Sequence, residues 1–247
     1  MVQAPQRTAL SGPKLIRLLA RLTDVEVTES RQSLSDRLSQ WLHWTDAIAL
    51  STALNGNPPA VPSGTRAGGH AEENDCARVR SALANDIVGA STLAAARQRG
   101  HVPPPPHAAQ MDAAVDFPAF RQRYLSMQQA METDIGNLRG RLRRKLAAGT
   151  PGMTQLAEVD AVMERALGLR ERNLLAAVPA LLKGHFERLR RAAQETAADV
   201  EAPGNAPALT PGAWLNVFRK DMQSVLLAEL DLRFQPVEGL LAALRTS

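Results

Sequence analysis

The sequence predicts an all-α protein: a long antiparallel helical hairpin completed to a bundle by C-terminal helices, with N-terminal helices on flexible linkers. Three observations carry this. Between Phe117 and Leu146 the residues Phe117, Phe120, Tyr124, Met127, Met131, Ile135, Leu138, Leu142 and Leu146 recur every three or four positions, which keeps one apolar stripe on one helix face. Gly149-Thr150-Pro151-Gly152 breaks the pattern, and a second stripe runs through Leu156, Val159, Met163, Leu167, Leu174, Val178, Leu181, His185 and Leu189. A breaker that short folds the two arms back on each other. Aromatic residues are only 4% of the chain, so its core is mainly Leu, Ala, Val and Met, which suits helix packing better than a sheet sandwich.

The N-terminal helices occupy residues 13–54. Ser11-Gly12-Pro13 reads as a helix start, with proline near the first turn. Leu15, Leu18, Leu19 and Leu22 then face inward, with Arg17 and Arg21 outside. A basic amphipathic segment also suits a membrane surface, but core packing is the simpler reading. A second helix is expected from about Ser33 to Leu54, with Leu34, Leu38, Trp41, Leu42, Thr45, Ile48, Ala49 and Thr52 inward. Inside it His43 and Asp46 are three apart, neighbours on a helix surface, and Trp41 and Trp44 flank them. The bland reading is a packing corner in which the indoles and Asp46 find partners; the sharper one is an acid–base pair or half a metal site.

Residues 55–75 read as a flexible linker, rich in Gly, Pro, Asn and charge. A short helical segment is expected over 76–99, with Val79, Leu83, Ile87 and Leu93 apolar, and a Pro-rich linker over 100–116 with Pro103 to Pro106 extended. The bundle takes 117–246. Pro179 lies within the second arm and is expected to kink or divide it. After a linker at 199–209, Thr210-Pro211 reads as the start of a helix carrying Trp214, Phe218, Met222, Val225, Leu226 and Leu230, which stops before Pro236. A last short helix carries Val237, Leu240, Leu241 and Leu244.

Composition excludes more than it selects. The net charge is +4, and only four of the 29 basic residues (Lys14, Lys145, Lys183 and Lys220) are lysines, so the high isoelectric point reflects arginine rather than charge at pH 7. The single cysteine, Cys76, rules out an intramolecular disulfide and a thiolate metal cage; Arg78 and Arg80 near it are of the sign that lowers a thiol pKa. No stretch approaches the ~20 apolar residues of a membrane span. Residues 1–22 lack a secretory apolar core, so a cytoplasmic protein is expected. No Glu-x-x-His, phosphate-binding glycine loop, Gly-x-Ser-x-Gly elbow or His-Glu-x-x-His occurs. No catalytic residue, cofactor, metal or small-molecule substrate is expected.

Two stretches carry a resemblance: Glu29-Ser30-Arg31-Gln32-Ser33 leading into Leu38-Ser39-Gln40-Trp41-Leu42-His43-Trp44-Thr45-Asp46-Ala47-Ile48, and Leu227-Ala228-Glu229-Leu230-Asp231-Leu232-Arg233-Phe234-Gln235-Pro236-Val237-Glu238-Gly239-Leu240. With Phe120-Arg121-Gln122-Arg123-Tyr124 and Ala176-Ala177-Val178-Pro179-Ala180-Leu181-Leu182, the chain over about residues 14–245 resembles the proteobacterial domain-of-unknown-function family numbered 3348. The resemblance implies a bacterial, cytoplasmic, helical protein. It supplies no activity, cofactor or catalytic residues to carry over.

The function expected is therefore a non-enzymatic scaffold or adaptor that binds a protein partner or itself through helix faces. Trp41, Trp44, Trp214 and Phe218 are its candidate contacts, because large rigid aromatics dominate interface energetics. The alternative is nucleic-acid binding through the basic run Arg139, Arg141, Arg143, Arg144 and Lys145, with help from Arg188, Arg190 and Arg191. The bland reading of that run is a favourable interaction with the negative end of a helix dipole.

Overall fold

A computed structural model describes residues 13–25, 32–56, 70–99, 116–200 and 212–246, and every element in them is an α-helix. They are α1 (Lys14–Thr23), α2 (Leu34–Trp41), α3 (Trp44–Asn55), α4 (His70–Arg99), α5 (Phe117–Ala147), α6 (Pro151–Leu175), α7 (Val178–Val200) and α8 (Ala213–Arg245). The expected proline run at 103–106 and helix start at Thr210-Pro211 lie outside the described residues.

The hairpin of α5 and α6 forms as the sequence predicts. Tyr124, Met131, Ile135, Leu138, Leu142 and Leu146 are buried along one face of α5. Thr150 caps α6, accepting from the Met153 N–H at 3.4 Å, and Pro151 takes the first helical position, where a missing N–H costs nothing. Pro179 divides the second arm: α6 ends at Leu175, Ala176 and Ala177 make the joint, and Pro179 sits in the first turn of α7. The inward stripe there differs from expectation. Val178 and His185 are buried as expected, but Leu156, Leu174 and Leu181 are exposed, and Leu175, Leu182 and Phe186 are buried in addition.

The centre of the fold is α8, which packs against α1, α4, α5, α6 and α7. It runs through Pro236, where the sequence predicts a stop and a separate short helix. Arg80 of α4 clasps both sides of that proline, meeting Asp231 at 2.7 Å and Glu238 at 2.6 Å, and its guanidinium lies 5.5 Å from the centre of the Phe234 ring. These external contacts help hold a helix that has lost one backbone hydrogen bond.

One N-terminal expectation holds and two change. Leu15 and Leu22 of α1 are buried against α7 and α8, so its apolar face is used inside the fold. The expected helix over 33–54 is two helices: Leu42 and His43 are extended, His43 is the N-cap of α3, and its N–H donates to Asp46 Oδ2 at 3.3 Å. His43 and Asp46 thus form a helix start, not a surface pair. Helix α4 begins at His70, inside the stretch 55–75 expected to be linker; Glu72 and Glu73 in its first turn favour a helix N-terminus. Cys76, Leu83 and Ile87 bring α4 into the core.

Candidate functional site

The four aromatic residues expected to form contacts separate into two places. Trp214 and Phe218 belong to an internal cluster with Phe117, Phe120 and Phe186, ring centres 5.0 to 6.3 Å apart. Phe218 is 0% exposed and belongs to the core, and Trp214, partly buried, packs its ring against Phe186. The physical reason is that α5, α7 and α8 converge there and fill the space with rings. Trp41 and Trp44 lie at the α2–α3 joint instead. Arg170 of α6 covers the Trp41 ring at 4.5 Å, a cation–π contact that pins the joint to the end of the hairpin. Trp44 is 80% exposed.

Helix α3 is apolar on two sides. Ala49, Leu50 and Ala53 face inward, and α3 packs on α6 with the Leu54 carbonyl accepting from Gln155 Nε2 at 2.6 Å. Trp44 and Ile48, one turn apart on the opposite side, are 80% and 50% exposed, with Ala47 between them also exposed. Leu34 of α2 and Leu169 and Leu174 near the end of α6 are exposed as well. A helix apolar all round normally lies inside a protein. Here one side of it lies on the surface.

The basic run is built into the hairpin. Arg139 makes a bidentate pair with Asp160 of α6, at 2.8 and 2.6 Å, and Arg143 reaches Asp160 at 3.4 Å and pairs with Glu164. Arg141 faces Asp75 at 3.9 Å and Lys145 faces Glu72 at 3.3 Å across a depression of about 360 Å³ between α4 and α5. Arg144 is exposed at its rim. Four of the five cations thus meet carboxylates of neighbouring helices, an arrangement that joins helices and leaves Arg144 facing solvent.

The main buried polar assembly follows from Pro179. In a continuous helix residue 179 donates to the carbonyl four residues back, that of Leu175, and proline has no N–H to give. Gln128 of α5 supplies the missing donor: its Nε2 meets the Leu175 carbonyl at 3.1 Å and the Glu229 carboxylate at 3.0 Å. Glu229 of α8 is 0% exposed. It also accepts from Tyr124 Oη at 2.7 Å and Arg233 Nε at 2.9 Å, and Arg233 lies 3.8 Å from Glu171 of α6. Nothing in the sequence reading singled out Glu229 or Gln128. The signal was present, since Gln128 falls on the stripe between Tyr124 and Met131, and Glu229 follows Val225 by one turn.

Burial, and then the Glu229 charge, push the Tyr124 phenol far above its ordinary range. An acid whose folded pKa is raised contributes stability that is intact below its unfolded pKa, about 10, and is lost as pH rises beyond it. Tyr124 is the sole tyrosine, so phenolate absorbance reads it directly. Absorbance is expected to rise near pH ~10 in denaturant, and in the native protein only together with loss of helical circular dichroism. Phenolate appearing near pH ~10 in a fully helical protein would contradict this burial.

A family model described as "Protein of unknown function (DUF3348)" matches residues 1–246. The chain belongs to that family. No curated protein and no solved structure matches it. In this DUF3348 protein no cluster of three or more His, Cys, Asp or Glu suited to a metal occurs among the described residues, and no described helix is long and apolar enough to cross a membrane. Cys76 is buried, and burial first, then Asp75, raise its pKa, opposite to the effect expected from Arg78 and Arg80. His185 of α7 meets Asp221 of α8 at 2.9 Å beside Phe218, joining two helices. Trp44 at 80% and Ile48 at 50% are the exposed large apolar side chains of α3's outer side.

Proposed function

We propose that this DUF3348 protein is a non-enzymatic helical scaffold or adaptor of the bacterial cytoplasm, working without a cofactor, that binds a protein partner through the outer face of α3. The observation that carries the reading is Trp44, 80% exposed next to Ile48 on a helix whose other side is already docked. Exposed tryptophan supplies large, rigid contact area at low entropic cost and is enriched among interface hot spots. Arg170 on Trp41 supports it by fixing the joint, so the face is presented in one arrangement.

The test is capture from nuclease-treated bacterial lysate by the tagged full chain, with sedimentation of the purified protein to detect self-association. A stoichiometric protein partner, or a dimer, is expected with the wild type and is expected to disappear with Trp44→Ala/Ile48→Ala while the helical spectrum is unchanged. A wild-type chain that stays monomeric and captures no stoichiometric protein overturns the proposal. So does a partner retained in full by the double variant.

A further inference from the structure

The arginines of α1 and α7 differ from the carboxylate-paired Arg139, Arg141, Arg143 and Arg172 of the hairpin. Ion pairs gather on α4, the C-terminal half of α5, α6 and the C-terminal half of α8, apart from Lys14 at the start of α1, Lys183 on α7, and His185 of α7 with Asp221 of α8. Arg17 and Arg21 stand one turn apart on the exposed side of α1, whose other side is buried against α7 and α8. Arg188 of α7 donates to the Leu22 carbonyl, which brings its guanidinium beside the last turn of α1. Arg191 is exposed about one turn further along α7. Among the described residues, none of these four arginines forms an ion pair with a carboxylate. Glu187 is with Lys183 and Asp221 with His185, leaving Asp24 and Glu195 as the nearby acids among the described side chains; Glu26, Glu29 and Asp199 are also close in sequence.

We infer that α1 and α7 form a polyanion-binding surface that takes the phosphate backbone of nucleic acid through Arg17, Arg21, Arg188 and Arg191, without reading its sequence. Each guanidinium presents a planar fork of donors that matches phosphate oxygens, and it keeps its charge at any physiological pH. The surface has no exposed aromatic ring on which a base can stack, so it fits backbone contact alone. A bilayer fits less well. An interfacial helix inserts its apolar face, and Leu15 and Leu22 of α1 are committed to the core. This surface is separate from the α3 face and from the carboxylate-paired run at 139–145, so its failure leaves the adaptor reading standing.

The experiment is fluorescence anisotropy of a short labelled DNA duplex against the full chain over a series of salt concentrations. Four phosphate contacts give a slope of log affinity against log salt of about −3 to −4. Arg17→Gln/Arg21→Gln/Arg191→Gln is expected to bring it up by about 3, and the matching lysine variant to keep it, which separates lost charge from lost fold. Arg141→Gln/Arg144→Gln is expected to leave it unchanged. Absence of DNA binding at low salt, a slope untouched by the glutamine variant, or a slope carried by Arg141 and Arg144 overturns the inference. Binding to phosphatidylserine vesicles without binding to DNA overturns it as well.

Discussion

Glu229→Ala is expected to destabilise the protein by about 3 to 5 kcal/mol, the range found when one member of a buried ion pair is removed. The loss exceeds that of one hydrogen bond because three donors converge on this carboxylate. Tyr124 Oη, Gln128 Nε2 and Arg233 Nε lie 2.7, 3.0 and 2.9 Å from it, and the Arg233 side chain is only 8% exposed. After truncation Arg233 keeps its charge with little solvent, and its remaining carboxylate, Glu171, is 3.8 Å away. Glu229→Gln retains oxygen for Tyr124 and Gln128 but not the charge, so it is expected to fall between wild type and alanine. Replacing Glu229 and Arg233 together by Leu and Met removes both charges and should recover much of the loss. Urea unfolding followed by circular dichroism measures all four. An alanine variant within about 0.5 kcal/mol of wild type, the range of ordinary surface substitutions, would mean that water or rearrangement already satisfies Arg233 and that the assembly does not hold α5, α6 and α8 together.

Much of this was legible in the residues, and the illegible parts share a cause. The α5 stripe could be read because that helix packs on α8 and the hairpin along its length, so periodicity and burial agree. The Gly149–Gly152 breaker and Pro179 could be read because turn and proline chemistry act locally. The break at Leu42-His43 was hidden: apolar spacing carries across it, and its one local sign, Asp46 three residues after His43, also fits two neighbours on an unbroken helix. Pro236 misled in the opposite direction, since what sustains α8 there is Arg80, more than 150 residues away in sequence. Periodicity tells which side of a helix is apolar. It does not tell whether something covers that side, which is why Trp44 and Phe218 looked equivalent in the sequence.

Their separation yields the second large effect. Phe218→Ala is expected to cost about 3 to 5 kcal/mol, through lost transfer free energy and the cavity left behind. The ring is fully buried and lies 5.0 Å from Phe186, 5.1 Å from Phe120 and 6.3 Å from Phe117, so its removal opens the meeting point of α5, α7 and α8 at once. The edge-on geometry of the Phe186 and Phe120 contacts adds to the area term. Trp44→Ala removes a larger side chain from a position that is 80% exposed, and it is expected to change stability by no more than about 0.5 kcal/mol. Thermal or urea unfolding of the two single variants decides the matter. A large loss at Phe218 with none at Trp44 separates a residue that builds the bundle from one the bundle presents to solvent. A comparable loss at Trp44 would make the α2–α3 joint part of the core, and the outer face of α3 would no longer be available to a partner.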